Sequence, residues 1–259
     1  MNTLRSLLPP QAPRAAFGAL VRAEFRLAWR TPIALVVGLG ISLLLLVIFG
    51  SVPVFREAQP ALGGLTAFDV YVPTLIALVI ATLGLLSLPG PLATYREQGI
   101  LRRLSTTPIP PAWVLGAQLV VNLTLAALAV LILLVVGMAG FGVAAPNSPA
   151  GLVLAILLSF AAIFALGLCI AAVARGATMA QPIGGAAFVP LMFFAGLWLP
   201  RPDMPAALRD VSNFTPLGAA VEAIQSALQT GFPPVTSLLV LLAYAVIAWW
   251  LAVRSFRWE

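Results

Sequence analysis

Six long apolar stretches, separated by short polar segments, set the pattern of this 259-residue chain. The stretches run over residues 33–52, 70–93, 112–140, 151–174, 183–199 and 236–253. About 20 apolar residues in a helix, each rising 1.5 Å, cross a hydrocarbon core of about 30 Å. The pattern therefore predicts an all-α integral membrane protein with six transmembrane helices in a single domain, residues 1–259.

The polar lead at residues 15–30 has the pattern of an amphipathic helix. Its aromatic and apolar positions recur every four residues, at Phe17, Val21, Phe25 and Trp29. A neighbouring stripe carries Arg22, Arg26 and Arg30. An arginine face beside an aromatic face is typical of a helix that lies in the membrane plane. The sequence predicts either a simple topogenic anchor or a surface that touches a cytoplasmic partner.

The loop after the second stretch contains another short helical pattern, over residues 97–104. Its apolar face carries Ile100, Leu101 and Leu104. Its polar positions are Glu97, Arg102 and Arg103, and the two arginines point away from the apolar face. Apolar side chains outside the membrane predict a docking knob whose charged residues pair with those of a partner. The alternative is a solvated turn whose arginines only orient the chain.

Residues 204–229, before the last stretch, predict two short helices on the opposite side of the membrane. The first is expected from Met204 to Val211. Thr215 and Pro216 then form an N-cap followed by proline at the first helical position. Apolar residues continue at helical spacing to Leu228. We expect both helices to pack on the ends of the spans.

The distribution of arginine predicts the orientation of the chain. All 14 basic residues are arginine. Eleven of them lie on the side of both termini: Arg5, Arg14, Arg22, Arg26, Arg30, Arg96, Arg102, Arg103, Arg175, Arg254 and Arg257. An excess of arginine marks the cytoplasmic face, so both termini are predicted to be cytoplasmic. The formal net charge of +6 therefore indicates topology rather than nucleic-acid binding.

Missing residue types exclude several chemistries. Without lysine or histidine, the chain lacks the lysine of a P-loop and the usual base of a serine hydrolase. The lone cysteine, Cys169, cannot form a disulfide within the chain or a multi-cysteine zinc site. The six stretches also have no acid in their interiors, where proton-driven transporters generally carry titratable groups. We expect no catalytic residue, metal or cofactor here, and an energy source outside the chain.

Three segments resemble the permease subunits of ABC type-2 exporters, the multidrug and antibiotic-resistance branch most closely. They are the arginine-rich lead, the run Tyr95-Arg-Glu-Gln-Gly-Ile-Leu-Arg-Arg-Leu-Ser-Thr-Thr-Pro108, and Phe193-Phe-Ala-Gly-Leu-Trp-Leu-Pro200 with the residues to Pro216. The resemblance implies an interface helix at 15–30, a coupling helix at 97–104 that fits a groove in a separate ATPase, and external helices that close an outer gate. It also implies a second permease copy or homologue, and two ATPase subunits that bind ATP and Mg²⁺.

The predicted functional residues form three sets. The interface helix contributes Arg22, Phe25, Arg26, Trp29 and Arg30, and the coupling helix contributes Glu97, Ile100, Leu101, Arg102, Arg103 and Leu104. The substrate path is predicted from mid-span polar or soft side chains, which are otherwise ordinary helix contacts: Asn122, Thr82, Met192, Phe193, Phe194 and Trp198.

Three functions stay open at this point. The first is drug or antibiotic efflux across a bacterial plasma membrane, with the all-arginine usage hinting at a GC-rich bacterial genome. The second is export of a lipid or a lipid-linked glycan. The third is a secondary transporter or a structural membrane subunit without an ATPase. Six tryptophans near the membrane edges indicate an aromatic belt rather than a sugar channel.

Overall fold

A computed structural model describes residues 12–30, 33–58, 64–100, 112–174 and 176–255. The described residues are helical almost throughout, with a single β-bridge between Ala58 and Thr66. The α-helices are α1 (Ala12–Arg30), α2 (Ile33–Ser51), α3 (Ala67–Ala81), α4 (Pro89–Glu97), α5 (Ala112–Phe141), α6 (Pro149–Val173), α7 (Ala177–Phe194), α8 (Ala206–Asn213), α9 (Pro216–Gln229) and α10 (Val235–Ser255). Short 3₁₀ turns cover Pro53–Arg56 and Arg201–Asp203, and a π-helical segment at Thr82–Ser87 joins α3 to α4.

Five helical segments are long and apolar enough to cross a bilayer. They are the continuous α3–π–α4 rod (Ala67–Glu97), Trp113–Phe141 of α5, and the whole of α6, α7 and α10. The first predicted span is also helical, and its described apolar part, Val36–Ser51, is shorter. The chain is therefore an all-α multi-pass membrane protein, as the apolar pattern predicts.

The fifth predicted span was placed wrongly, at 183–199. The helix α7 begins six residues earlier, at Ala177, and ends at Phe194. Pro182 lies inside this helix, where it removes one backbone hydrogen bond without ending the helix. The chain leaves the helix at Gly196, whose φ of +89° is readily adopted only by glycine. Trp198 consequently lies beyond the helix rather than within a span.

The α3–π–α4 rod forms the centre of the bundle. In its most apolar window 83% of residues are buried, against 17% for α7 and 22% for α10. The rod begins at a capping box, in which the Thr66 hydroxyl accepts from the Asp69 amide at 3.0 Å. The Asp69 carboxylate accepts from the Thr66 amide at 3.3 Å in return. The spans α2, α5, α6 and α7 contact this rod, whereas α10 packs on α6 and α9.

The π-helical segment frees two carbonyl groups in the middle of the rod. Leu88 N–H donates to Leu83 O at 3.0 Å, so it bypasses Gly84 O, its ordinary α-helical acceptor. Leu85 O loses its α-helical donor because residue 89 is proline. These two carbonyls point at neighbouring helices. A Cβ added to Gly167 of α6 would lie 2.0 Å from Gly84 O, and one added to Gly184 of α7 would lie 2.4 Å from Leu85 O.

Candidate functional site

The amphipathic helix α1 packs across the start of α5. The Phe17 ring meets the Trp113 ring edge to face, with centroids 5.8 Å apart, and Leu20 packs on the cluster of Val114 and Ala172. Trp29 is 74% exposed, so the predicted four-residue stripe does not form one packed face. With 3.6 residues per turn, a four-residue spacing drifts around the helix, and the buried face follows positions 17, 20 and 24 instead.

The outward face of α1 carries an open surface groove of about 760 Å³. Its lining is the predicted interface set: Arg22, Phe25, Arg26, Trp29 and Arg30. Among the described residues, no acid lines it. The three guanidinium groups of this groove attract an acidic surface, and they can also stack on aromatic side chains of a partner.

Glu24 lies on the inner face of α1 and is only 8% exposed. The Tyr95 hydroxyl of α4 donates to its two carboxylate oxygens, at 2.9 and 3.1 Å. The Gln118 amide of α5 donates to the same carboxylate at 2.6 Å. Burial raises the pKa of the Glu24 carboxyl, and the Tyr95 hydrogen bond partly offsets that rise. Three helices are thus joined at one acid, which the sequence analysis did not single out.

The Glu24 contacts continue into the bundle through polar side chains of α5. The Asn122 amide donates to the Gln118 side-chain oxygen at 3.2 Å and to the Gln118 carbonyl at 3.0 Å. Ser87, at the end of the π-helical segment, donates to the Asn122 side-chain oxygen at 3.4 Å. Gln118 and Asn122 are 5% and 6% exposed. We call Glu24, Gln118, Asn122 and Ser87 the polar chain.

The predicted coupling helix does not begin where the sequence suggested. Glu97 is the last residue of α4, and Gln98 caps that helix. Gly99 has a φ of +66°, a conformation that breaks an α-helix and suits glycine. The prediction that the coupling helix starts at Glu97 is therefore wrong. Ile100 is described, whereas Leu101, Arg102, Arg103 and Leu104 lie outside the described residues, and their predicted roles stay predictions.

The end of α4 is braced against two other spans by consecutive charges. The Arg96 guanidinium donates to Ala172 O at 3.0 Å, at the C-terminal end of α6. The Glu97 carboxylate accepts from Ala177 N at 3.3 Å, at the N-terminus of α7. Both charges have the sign that the helix dipole favours at that end. Glu97, predicted to pair with a partner's charge, thus has a contact within its own chain.

The six predicted substrate-path residues do not share one cavity. Thr82 donates to Leu78 O of its own helix at 2.8 Å, Met192 is fully buried, and Trp198 is 55% exposed. Phe193 and Phe194 stack edge to face on each other, 5.5 Å apart, and Asn122 belongs to the polar chain. None of the six lines the large apolar groove of about 700 Å³ between α5, α6 and α10.

A buried guanidinium holds together the opposite end of the bundle. Arg201 is 5% exposed, and it pairs with Glu222 of α9 at 2.9 Å. It also donates to Gly218 O at 2.9 Å and to the Asn213 side-chain oxygen. Burial lowers the pKa of the Arg201 guanidinium, and Glu222 opposes that shift. In the sequence, Arg201 is one of the three arginines on the side opposite the termini, and no local pattern predicts its buried contacts.

These features define a multi-pass membrane domain: a bundle of apolar helices, an amphipathic helix packed across one end, and short helices at the other. The chain belongs to the ABC-2 type transporter family, whose model matches residues 15–228. A comparison with curated proteins found no match. The protein is thus a permease component of an ABC transporter, and the matched domain is its membrane domain, which does not include the nucleotide-binding domain.

Proposed function

We propose that this chain is the transmembrane subunit of an ATP-driven exporter in a bacterial plasma membrane. A separate ABC ATPase docks against the groove on α1 and the adjoining loop after α4. The observation that supports this most directly is the groove itself, where three arginines and two aromatic residues face outward from a helix whose other face is packed. Such a surface fits an acidic partner better than a purely topogenic anchor.

The brace at the end of α4 supports energy entry at this face. A displacement of the loop after Glu97 acts on α6 through Arg96 and on α7 through Glu97 itself. Two spans are thereby attached to the two residues that precede the proposed docking loop. Proton-driven transport is less well supported, because Glu24, the buried acid of this face among the described residues, lies on α1 rather than in a span.

The proposed cargo is a drug, an antibiotic or another amphipathic molecule. The apolar groove between α5, α6 and α10 is lined by aliphatic and aromatic side chains that include Trp249 and Trp250. Pockets of this size and composition suit apolar ligands. The same groove favours a lipid as the second candidate cargo, since an acyl chain has the same chemistry.

A second copy of the permease, or a homologue, is proposed to cover α7. Only 17% of the most apolar window of α7 is buried within one chain, and Val189 is 55% exposed. A span this poorly covered offers a long apolar surface to another helix bundle. Pairing along α7 would place the Gly184 crossing with the central rod next to the subunit boundary.

Co-purification tests the ATPase proposal. The double variant Arg22→Glu/Arg26→Glu is expected to lose the ATPase from the purified complex, because it reverses the charge of the groove. Arg254→Glu is the matched control. The Arg254 guanidinium carbon lies 5.2 Å from the centroid of the Trp250 ring. Arg254 is at the same end of the bundle as Arg96, because the C-terminal part of α10 packs on the C-terminal part of α6, where the Cys169 thiol donates to Ala248 O. Leu104→Asp should also abolish ATPase binding while leaving membrane insertion intact.

Transport measurements decide between the proposed function and its competitors. Reconstituted complex should move an amphipathic dye only when ATP is supplied, and the groove variant should not. Movement of cargo by the permease alone under a proton gradient would contradict the proposal. ATP-dependent movement of a fluorescent phospholipid, without movement of drugs, would replace the proposed cargo with the lipid alternative.

A further inference from the structure

The polar chain connects the surface helix α1 to the π-helical segment at the centre of the bundle. We propose that Glu24, Gln118 and Asn122 are positioning residues that transmit displacement of α1 to this segment. The inference rests on the proposed function, because it takes ATPase docking on α1 as the source of the displacement. It adds a route for that displacement that bypasses the loop after α4.

The first step of the route is the anchoring of α1 at Glu24. Its carboxylate accepts hydrogen bonds from α4 and α5 and is nearly inaccessible to water. A buried carboxylate that loses its donors is strongly penalised, so these contacts are kept as α1 moves. Movement of α1 therefore displaces Gln118 and Tyr95 with it, rather than sliding past them.

The second step runs along one turn of α5. Gln118 and Asn122 are four residues apart, so their side chains lie on the same face of the helix. Each uses one end of its amide for the neighbour on the Glu24 side and the other end for the next link. A shift at Glu24 is consequently passed to Ser87 through defined donor and acceptor pairs.

Glu24 is connected to the rod at two points, both after the carbonyls of Gly84 and Leu85. Through the polar chain, Glu24 reaches Ser87 at the end of the π-helical segment, and through Tyr95 it reaches the end of α4. Between these two points the rod contains Pro89. The carbonyls of Gly84 and Leu85, which lack their ordinary α-helical donors, lie just before this stretch. π-Helical turns are short insertions that are frequent at functional sites. A change in their hydrogen bonding is a discrete rearrangement rather than a gradual bend.

The π-helical segment contacts three spans, so a rearrangement within it can displace all of them. Gly84 O abuts Gly167 of α6, Leu85 O abuts Gly184 of α7, and a Cβ on Gly38 of α2 would lie 3.0 Å from the Thr82 methyl group. A rearrangement of this segment therefore acts on α6 and α7 through the two carbonyls and on α2 through the Thr82 side chain. The geometry therefore supplies both an input at Glu24 and an output in the membrane.

Two fluorine probes on the permease–ATPase complex test the transmission. One is a trifluoroethyl label on Ala23→Cys, an exposed site on α1, and the other is the same label on Leu86→Cys, both in a Cys169→Ala background. The stimulus is a non-hydrolysable ATP analogue bound to the co-purified ATPase. In the otherwise unmodified complex, both fluorine signals are expected to shift when the analogue binds.

Gln118→Met breaks the polar chain with little change in side-chain volume. It should leave the nucleotide-dependent shift at Ala23→Cys intact and reduce the shifted fraction at Leu86→Cys about tenfold, the effect of one lost hydrogen bond to a charged group. Thr124→Val is the control on the same helix, because the Thr124 hydroxyl contacts only Val120 O of α5, at 2.7 Å. Ser87→Ala removes only the last hydrogen bond of the polar chain, from Ser87 to Asn122. It replaces Gln118→Met as the test variant if the Gln118→Met complex does not assemble.

The outcomes separate this inference from the proposed function. A silent Ala23→Cys probe in the unmodified complex would contradict ATPase action on α1, and with it the proposed function. A responsive Ala23→Cys probe with an undiminished Leu86→Cys response in Gln118→Met and Ser87→Ala would overturn only the transmission route. Loss of the Leu86→Cys response in Thr124→Val as well would also overturn it, because that variant leaves the polar chain whole.

Discussion

Neighbouring glycines in α7 offer a sharp test of the contact between this span and the central rod. Gly184 faces Leu85 O of the π-helical segment, whereas a Cβ on Gly185 would meet no atom within 4 Å. Gly184→Ala and Gly185→Ala make the same chemical change in the same helix, one residue apart. Both gain the same backbone contribution from replacing glycine, about 0.5–1 kcal/mol. Their difference therefore reports the close approach alone.

The expected magnitude follows from the distances. The added Cβ at Gly184 would lie 2.4 Å from Leu85 O, and ordinary contact begins at 3.4 Å. The helices must therefore separate locally by about 1 Å, in an interior that is closely packed. Overpacking of this kind costs about 1–3 kcal/mol. The separation also weakens the Cα–H···O contact that small residues allow at helix crossings in membranes.

Unfolding of the purified protein by increasing SDS in mixed micelles provides the assay. The free energy of unfolding of Gly184→Ala should lie about 1–3 kcal/mol below that of Gly185→Ala, which should equal or exceed that of the unmodified protein. Equal values for the two variants would refute the argument. Such a result would mean that α7 does not pack on the freed carbonyl, and that the π-helical segment has no special contact there.

Three further predictions concern other contacts. Gly167→Ala should prevent stable accumulation in the membrane, measured by immunoblot, because its Cβ would lie 2.0 Å from Gly84 O. The protection factors of the α1 amides, which correct hydrogen exchange for its intrinsic rise with pH, should fall as the pH increases above about 4.3, the ordinary glutamate value. Burial raises the pKa of Glu24, so the folded protein retains a proton that the unfolded chain has lost, and this stabilisation disappears at higher pH. Glu24→Gln should remove the dependence, and an unchanged profile in that variant would contradict it. Glu222→Ala should lower the free energy of unfolding by about 1–2 kcal/mol, because the buried Arg201 guanidinium loses its carboxylate, although Glu222 itself is 40% exposed. The double variant Arg201→Met/Glu222→Ala should recover part of that loss in the same SDS titration, and a further loss would count against the argument.

The membrane architecture was accessible from the sequence because it depends on local composition. A run of about 20 apolar residues has few alternatives to a spanning helix. The bounds of the fifth span were not accessible in the same way. The helix begins at Ala177, before the apolar run and with Pro182 inside it, and its end depends on Gly196 adopting a positive φ. Both features are settled by packing and backbone conformation rather than by hydropathy.

The buried charges were missed for a physical reason. The prediction for α1 used a spacing of four residues. Glu24 instead lies seven residues after Phe17, which places both on the same face of a helix with 3.6 residues per turn. An acid in line with apolar positions is the signal that would have found it. Its partners, Tyr95 and Gln118, are distant in sequence, and no local sequence pattern predicts these contacts. The contacts of the freed carbonyls with Gly167 and Gly184 are likewise non-local.

The brace at the end of α4 has a consequence for how the chain tolerates insertions. Arg96 and Glu97 are consecutive, and each is held at a helix end that favours its own sign of charge. One residue added before Arg96 turns both side chains by about 100°, which carries each charge away from its helix end. Residues added after Gly99 leave the brace intact. The loop can therefore vary in length without disturbing the helix that carries it, which keeps a fixed register.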